Sequence, residues 1–272
     1  MSDPADLNRR ITLNTLRECK RRDEKFTCLT AYDASFASIL DSNGVDVLLI
    51  GDSLGMVIQG HDSTLPVTVD DMVYHCQAVS RGSQRALLMA DMPFMGDASP
   101  TRALESAARL LKEGGAHIVK LEGGAVMAET IALLSSRGIP VCAHLGLLPQ
   151  SINKLGTYRV QGRDDEEAQR ILDDARLLEQ AGADALLLEC VPSGLAAQVT
   201  RSAKVPVIGI GAGGACDGQV LVVYDMLGIT PGKRPRFSRD FLAQAGSVPA
   251  AIAAYVQAVR NGEFPGPEHS FE

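Results

Sequence analysis

Four carboxylates and a lysine recur at comparable places along the 272-residue chain. Asp52, with Ser53 beside it, ends the run VLLIGD; Asp91 ends LLMAD; Lys120 and Glu122 fall in IVKLE; Glu189 ends ALLLE; and His144 follows VCA. Each lies at or just past the end of a short apolar run, where a buried strand would emerge into a loop. Lys120 and Glu122 are two positions apart, so on a strand both point the same way. If these runs end at one mouth, four carboxylates and one lysine repel one another severely unless a cation is bound or some are protonated. A divalent metal resolves the conflict. Oxygen donors without a Cys/His cluster point to Mg²⁺ or a similar hard ion, held by one or two carboxylates with waters and substrate completing its shell. A second reading has the acids capping the helices that follow, at the positive ends of their dipoles. That reading accounts well for any one acid, and poorly for all four with the lysine. His144 is either an accessory group of the site or a satisfied structural histidine.

The elements that must carry these residues are legible as apolar runs bounded by turn signals. They are Phe26 to Ala31, Val45 to Ile50, Ala86 to Ala90, Ile118 to Glu122, Val141 to His144, Ala185 to Glu189, Val207 to Ile210 and Val220 to Val223. Most are continuously apolar rather than alternating, as strands buried on both faces are. Helical patterns lie between most of them, over Asp33 to Asn43, Asp70 to Arg81, Pro100 to Glu113, Ala125 to Arg137 and Asp164 to Ala181. Strand–helix repetition implies a parallel sheet. An internal repeat sharpens this. SILDSNGVDVLLIGD, ARLLKEGGAHIVKLE and ARLLEQAGADALLLE each run helix, glycine, strand, acid, with Gly44, Gly115 and Gly182 placed to stop the helix in a left-handed cap. The acids of the repeat, Asp52, Glu122 and Glu189, fall at near-even intervals of about two strand–helix units, which favours a single-domain (β/α)8 TIM barrel over an open sheet. In such a barrel the site lies at the C-terminal ends of the strands, where these residues are. The whole chain, 1–272, reads as one barrel domain. About twenty residues at the N-terminus form a short extension, and the helical segment after Thr230 reads as a second addition.

Composition narrows the function. Lys plus Arg is 26 and Asp plus Glu is 33, a net charge of −7 that argues against nucleic acid or an acidic membrane as partner. Hydrophobic residues are 46% and charged residues 22%, as in ordinary globular proteins, while aromatics are only 4% with no Trp, so the core must be aliphatic. Six cysteines with no CxxC pair disfavour a zinc ribbon and a disulfide framework, and no apolar run approaches a membrane span, which together suggest a reducing, cytoplasmic setting.

Three further features need placing. Gly209, Gly211 and Gly214 satisfy GxGxxG, but after the seventh strand and with Arg234 where the ribose-binding acid belongs, so close backbone approach explains them better than a dinucleotide. Lys233, Arg234, Arg236 and Arg239 form a basic cluster that reads as solvated surface or a subunit contact. Leu147 to Arg163 is a long polar connection on the side of the site, either a lid or a disordered link.

GDSLGMVIQGHDSTLPVTVDDMVYH (51 to 75), DMPF (91 to 94), VKLEGG (119 to 124), HLGLLPQSINKLGTYRVQGR (144 to 163), LLLECVP (186 to 192) and IGIGAG (208 to 213) together resemble the ketopantoate hydroxymethyltransferase family. The likeness runs from about Thr12 to Ile229. It implies a (β/α)8 barrel that makes 2-dehydropantoate for pantothenate synthesis, moving a one-carbon unit from 5,10-methylenetetrahydrofolate to the α-keto acid 3-methyl-2-oxobutanoate with Mg²⁺. It also implies a homo-oligomer, commonly a decamer. Asp52 and Asp91 then resemble the metal ligands, with Glu122 completing the metal site through water. Ser53 and Lys120, with Asp52 and Asp91, resemble the substrate-binding residues, and Glu189 the proton acceptor. The sequence departs from the family pattern at Met95, Gly96 and Asp97, where an aromatic is expected nearby, and at Thr157, where a glycine is usual. The rival from the same chemistry is an Mg²⁺-dependent carbon–carbon lyase or mutase of the phosphoenolpyruvate mutase and isocitrate lyase group, which a reactive strand-end cysteine would favour. The rival from another class is a metal-binding assembly protein without catalysis, which loss of Glu189 or Lys120 would have favoured.

Overall fold

The computed structural model describes residues 10–230, 232 and 234–272; Lys233 and residues 1–9 of the N-terminal extension lie outside it. Eight parallel strands close into a barrel in sequence order. They are β1 (Phe26–Thr30), β2 (Val47–Ile50), β3 (Leu87–Asp91), β4 (Ile118–Glu122), β5 (Val141–Gly146), β6 (Ala185–Glu189), β7 (Val207–Ile210) and β8 (Gly218–Leu221). Every residue of β1, β2 and β3 is buried, because one face fills the barrel and the other receives helices.

Most strand bounds fall within a residue or two of the apolar runs. The eighth differs in position: β8 pairs with β1 from Phe26↔Gly218 to Leu29↔Leu221, two residues earlier than the run Val220 to Val223. Val223 instead opens a short helix, Val223–Met226, and its N–H donates to Thr30 Oγ1 at 2.9 Å. The apolar run therefore spans the end of a strand and the start of a helix.

Outside the barrel lie α1 (Leu13–Arg21), α2 (Ala34–Ser42), α3 (Val69–Gly82), α4 (Pro100–Lys112), α5 (Ala128–Ser136), α6 (Asp165–Ala181), α7 (Ser193–Ser202) and α8 (Val248–Arg260). Their starts follow from the sequence. Asp33, Thr68, Ser99 and Asp164 accept from first-turn N–H groups of α2, α3, α4 and α6, and α6 adds three acids in its first turn. Its end is Gly182, whose φ of +108° makes the left-handed cap that the internal repeat implied. The helix over Ala125 to Arg137 begins as a 3-10 turn, Ala125–Met127, before α5 proper.

No helix joins β7 to β8. Residues 211–217 make the return alone, and a side chain at Gly209 would meet Cys216 Sγ at 2.8 Å, so the GxGxxG glycines serve close packing of the chain on itself.

The terminal helices close the structure at two places. Lys20 of α1 pairs with Asp217 at 2.8 Å and donates to Thr200 O, while Arg17 pairs with Asp184, so α1 is tied to the N-terminal ends of β6 and β8. α8 packs on β1, and the fully buried Tyr255 hydroxyl donates to the carbonyls of Cys28 and Gln219, at 3.0 and 2.8 Å. The stretch after Thr230 thus supplies an outer helix over the β1–β8 seam.

Candidate active site

The strand ends gather the candidate residues at one mouth. Asp91 is in register with Lys120, and Glu122 with His144, while Glu189 lies one step further out beside Gly146. Lys120 and Glu122 do share a face, with Nζ 3.9 Å from Glu122 Oε1. Asp52 and Ser53 come from the turn after β2, and the Asp52 N–H donates to Asp91 Oδ2 at 3.0 Å. That turn is crowded: a Cβ on Gly51 would stand 2.6 Å from Ser53 Oγ.

Two charged chains cross the mouth. In the first, Lys120 Nζ lies 3.0 Å from Asp91 Oδ1 and 3.2 Å from His144 Nδ1. In the second, His144 stands between carboxylates, with Nδ1 3.4 Å from Glu122 Oε1 and Nε2 3.3 Å from Glu189 Oε2. Asp52, Asp91, Lys120 and His144 are all buried, whereas the Glu189 side chain keeps 16% of its exposure.

Burial and charge shift these groups in opposite senses. Burial, then Asp91 and Glu122, push the Asp52 carboxyl well above the carboxylate range against the pull of Lys120 and Gln150. Burial would also raise Glu122, but contacts with His144, Lys120 and the Gln150 N–H hold it low. Burial works against a charged Lys120, yet Asp91, Glu122 and Asp52 keep it firmly an ammonium. His144 is pulled down by burial and Lys120 and pushed up further by Glu122 and Glu189, so its proton is retained above the usual imidazole value.

The acids do not cap the following helices. The first turn of α4 is capped by Ser99, the 3-10 turn after β4 by Asp174 from α6, and the N-cap residues of the short helix Leu54–Val57 and of α7 make no side-chain cap. Their charge is turned into the mouth instead, where Asp91 Oδ1 pairs with Lys120 at 3.0 Å yet, like His144 Nε2, is buried with no well-aligned hydrogen bond. This donor set fits a hard divalent cation. Among the described residues no three carboxylate, imidazole or thiol groups converge closely enough to hold a metal by themselves. Asp52, Asp91 and Glu122 are the carboxylates that could hold it: Asp91 is met by Lys120 and the Asp52 N–H, Glu122 by His144 and the Gln150 N–H, and Asp52 by Gln150 at one oxygen.

Two residues of the site escaped the sequence reading. Tyr32, just after β1, places its hydroxyl 2.9 Å from Ser53 Oγ, and burial pushes its pKa up. Gln150, in the connection after β5, donates from Nε2 to Asp52 Oδ2 and Met92 O, both at 2.8 Å, and from its backbone N–H to Glu122 Oε2 at 3.1 Å. Gln150 falls inside the segment 144 to 163 that carries the family resemblance, whereas no motif singled out the neighbourhood of Tyr32. The connection itself is ordered, with a 3-10 turn at Pro149–Ser151 and a helical turn at Ile152–Leu155.

Comparison with known proteins places the chain in a family. The family model described as ketopantoate hydroxymethyltransferase matches residues 10–267. The chain is 60% identical over 262 residues to the 3-methyl-2-oxobutanoate hydroxymethyltransferase of Nitrosococcus oceani, covering 96% of this chain and 99% of that one. It is 59% identical to that of Marinobacter nauticus, with the same coverage. Among solved structures, a putative phosphonomutase from Burkholderia cenocepacia superposes with a TM-score of 0.63 at 16% identity, over 79% of this chain and 94% of that one. Phosphonopyruvate hydrolase in complex with oxalate and Mg²⁺ gives 0.58 at 14% identity, over 95% and 93%. These structures share the barrel, and the sequence relatives are far closer. The chain belongs to the ketopantoate hydroxymethyltransferase family.

Proposed function

We propose that the mouth of this barrel carries out the family reaction with Glu189 as base. The reaction transfers a hydroxymethyl group to 3-methyl-2-oxobutanoate, giving 2-dehydropantoate on the route to pantothenate. The observation that carries the assignment of Glu189 is its isolation. Of the four carboxylates it is the one partly exposed and, among the described residues, paired only with His144. Asp91 and Glu122 are held by Lys120, and Asp52 by Gln150.

Lys120 and Ser53 would bind the carboxylate and keto oxygens of the substrate, with Tyr32 holding the Ser53 hydroxyl in place. Asp52 and Asp91 would hold Mg²⁺, with Glu122 reaching it through water. The ion, when bound, supplies Lewis-acid polarisation of the keto group. Glu189 takes the C3 proton, Lys120 offsets the negative charge that develops on the substrate oxygens, and His144 keeps Glu189 oriented. The C3 carbon then bonds to the methylene of 5,10-methylenetetrahydrofolate as one of that carbon's two bonds to folate nitrogen breaks, the freed nitrogen taking a proton. Water then displaces the second nitrogen, supplying the new hydroxyl and a proton to that nitrogen as tetrahydrofolate leaves. The lyase or mutase alternative lacks its reactive thiol: Cys142 and Cys190 are buried, and burial pushes Cys142 up to about 12 and Cys190 higher still.

The reading carries with it a cytoplasmic setting, supported by six free cysteines, and a homo-oligomer, for which exposed Phe94, Met95 and Val126 offer apolar surface. Among the described residues no helix is long and apolar enough to cross a membrane. The deciding experiment follows C3 deuterium exchange of 3-methyl-2-oxobutanoate with Mg²⁺ in D₂O. Glu189→Gln is expected to slow exchange by about 10²- to 10⁴-fold with the fold intact. Exchange near the wild-type rate in that variant would remove Glu189 as base.

A further inference from the structure

The connection 147–163 is fastened to the site at three points. At its start the Leu147 N–H donates to Glu189 O at 2.8 Å, and near its end the Gln161 N–H donates to Cys190 O at 2.9 Å. These are consecutive carbonyls, so both ends of the loop hang from the backbone that carries the base. Cys190 adopts a φ of +47°, rare for a residue with a side chain, and that twist turns the two carbonyls to receive both ends. The third point is Gln150, which reaches across the mouth.

Gln150 commits every donor it has. The two hydrogens of its side-chain amide go to Asp52 Oδ2 and to the carbonyl of Met92, and its backbone N–H goes to Glu122 Oε2. One residue of the β5 connection therefore touches the turn after β2, the loop after β3 and the end of β4. An amide NH₂ can only donate, so it holds Asp52 Oδ2 in place as an acceptor. Among the described residues no donor bonds to Asp52 Oδ1, so Gln150 sets which oxygen of Asp52 is left to meet a ligand or cation.

We propose that Gln150 is a positioning residue that closes residues 147–163 over the carboxylates and fixes the orientation of Asp52 for substrate binding. A loop residue of purely structural importance would fasten the segment without changing how Asp52 meets substrate. The two roles part in kinetics and in their response to cations. This inference rests on the proposed function for the identity of substrate and cation, but not for the state of the loop.

The test compares wild type, Gln150→Ala and Gln150→Glu by amide hydrogen exchange across residues 147–163, with and without Mg²⁺, alongside KM and kcat for the keto acid. In Gln150→Ala, loss of a hydrogen bond to a charged group should raise loop exchange and KM each by about tenfold, with kcat changed much less. Gln150→Glu keeps the length but turns a donor into a third anion against Asp52. Its loop exchange should rise further without added cation and be brought back by Mg²⁺, but not by the same charge concentration of Na⁺. Wild-type loop exchange in Gln150→Ala would overturn the proposal. So would raised exchange with unchanged KM, which would make Gln150 a fastener only, and so would Gln150→Glu exchange that ignores Mg²⁺. A wild-type protein showing no C3 exchange at all would instead sink the proposed reaction, and the loop measurements would still decide the role of Gln150 in closure.

Discussion

His144 Nε2 stands 3.3 Å from Glu189 Oε2, and the opposite side of the same ring faces Glu122 Oε1 at 3.4 Å. The proposed base is thus held by an imidazole that is itself held by a buried acid. Replacing the ring by an apolar group leaves Glu189 without its partner and Glu122 with one contact fewer. His144→Leu should slow C3 proton exchange by about 10²-fold, the scale expected when a reacting group is misplaced by around an ångström. His144→Gln, whose amide can donate toward Glu189, should recover part of that loss. Proton NMR in D₂O measures both, and an unchanged rate in His144→Leu would show that Glu189 needs no orienting partner.

Gly146, at the end of β5, pairs with Glu189, the proposed base. Its φ is +94°, and a Cβ there would stand 2.3 Å from the Glu189 carbonyl oxygen, the same oxygen that accepts from Leu147. Gly146→Ala must therefore move either the loop or the backbone of Glu189. The expected cost in stability is about 1–3 kcal/mol from forced backbone strain, with a loss of C3 exchange out of proportion to it. Urea unfolding and the exchange assay on the same preparation separate the two effects. Wild-type stability and exchange together would mean that the loop absorbs the methyl freely.

How much of this was written in the sequence depends on whether a feature is local. The strands were legible because a run such as IVKLE or ALLLE is buried on both faces and so apolar throughout, and β4 and β6 match their runs residue for residue. β8 was displaced because Val223 is apolar for a different reason, as the start of a helix packed on the barrel. Glu122, Lys120 and Asp91 could be placed at one mouth because strand periodicity fixes which way they point. Gln150 could not. Its importance comes from bonds to residues 98 and 58 positions away, and nothing in PQS distinguishes a glutamine that spans a mouth from one in solvent. Tyr32 was invisible for a similar reason, since only the pairing of β1 with β2 brings it to Ser53.

At the opposite end of the barrel from the Gly146 contact, the start of β4 bears a group that responds to acid. His117 Nδ1 accepts the Leu88 N–H at 2.9 Å, and burial, with Arg10 beside the ring, holds its pKa down to about 4 from 6.5. The folded state thus favours the neutral ring. Its contribution to stability is complete above pH 6.5 and is lost as pH falls from there through about 4, because the unfolded chain takes up the proton first. His117→Asn keeps an acceptor near the Leu88 N–H but cannot titrate, so its stability should fall less steeply over that interval than the wild type's. Urea midpoints measured across the same interval give the comparison, and parallel slopes would exclude His117 as a contributor to acid sensitivity.

Tyr255 separates stability from chemistry. Its ring is fully buried between α8 and the barrel, in edge contact with Phe241 and Phe264, and its hydroxyl serves carbonyls of both β1 and β8. Tyr255→Phe preserves the packing and removes the hydroxyl's hydrogen bond to those carbonyls at the β1–β8 seam. The unfolding free energy should drop by about 1 kcal/mol, the usual cost of losing one buried hydrogen bond. C3 exchange should remain at the wild-type rate when measured well below the unfolding transition, because Tyr255 touches no member of the Asp52, Lys120, His144 and Glu189 network. A fall in exchange matching the effect of Glu189→Gln would mean that strain at the β1–β8 seam reaches the mouth through Thr30, whose Oγ1 accepts the Val223 N–H beside that seam.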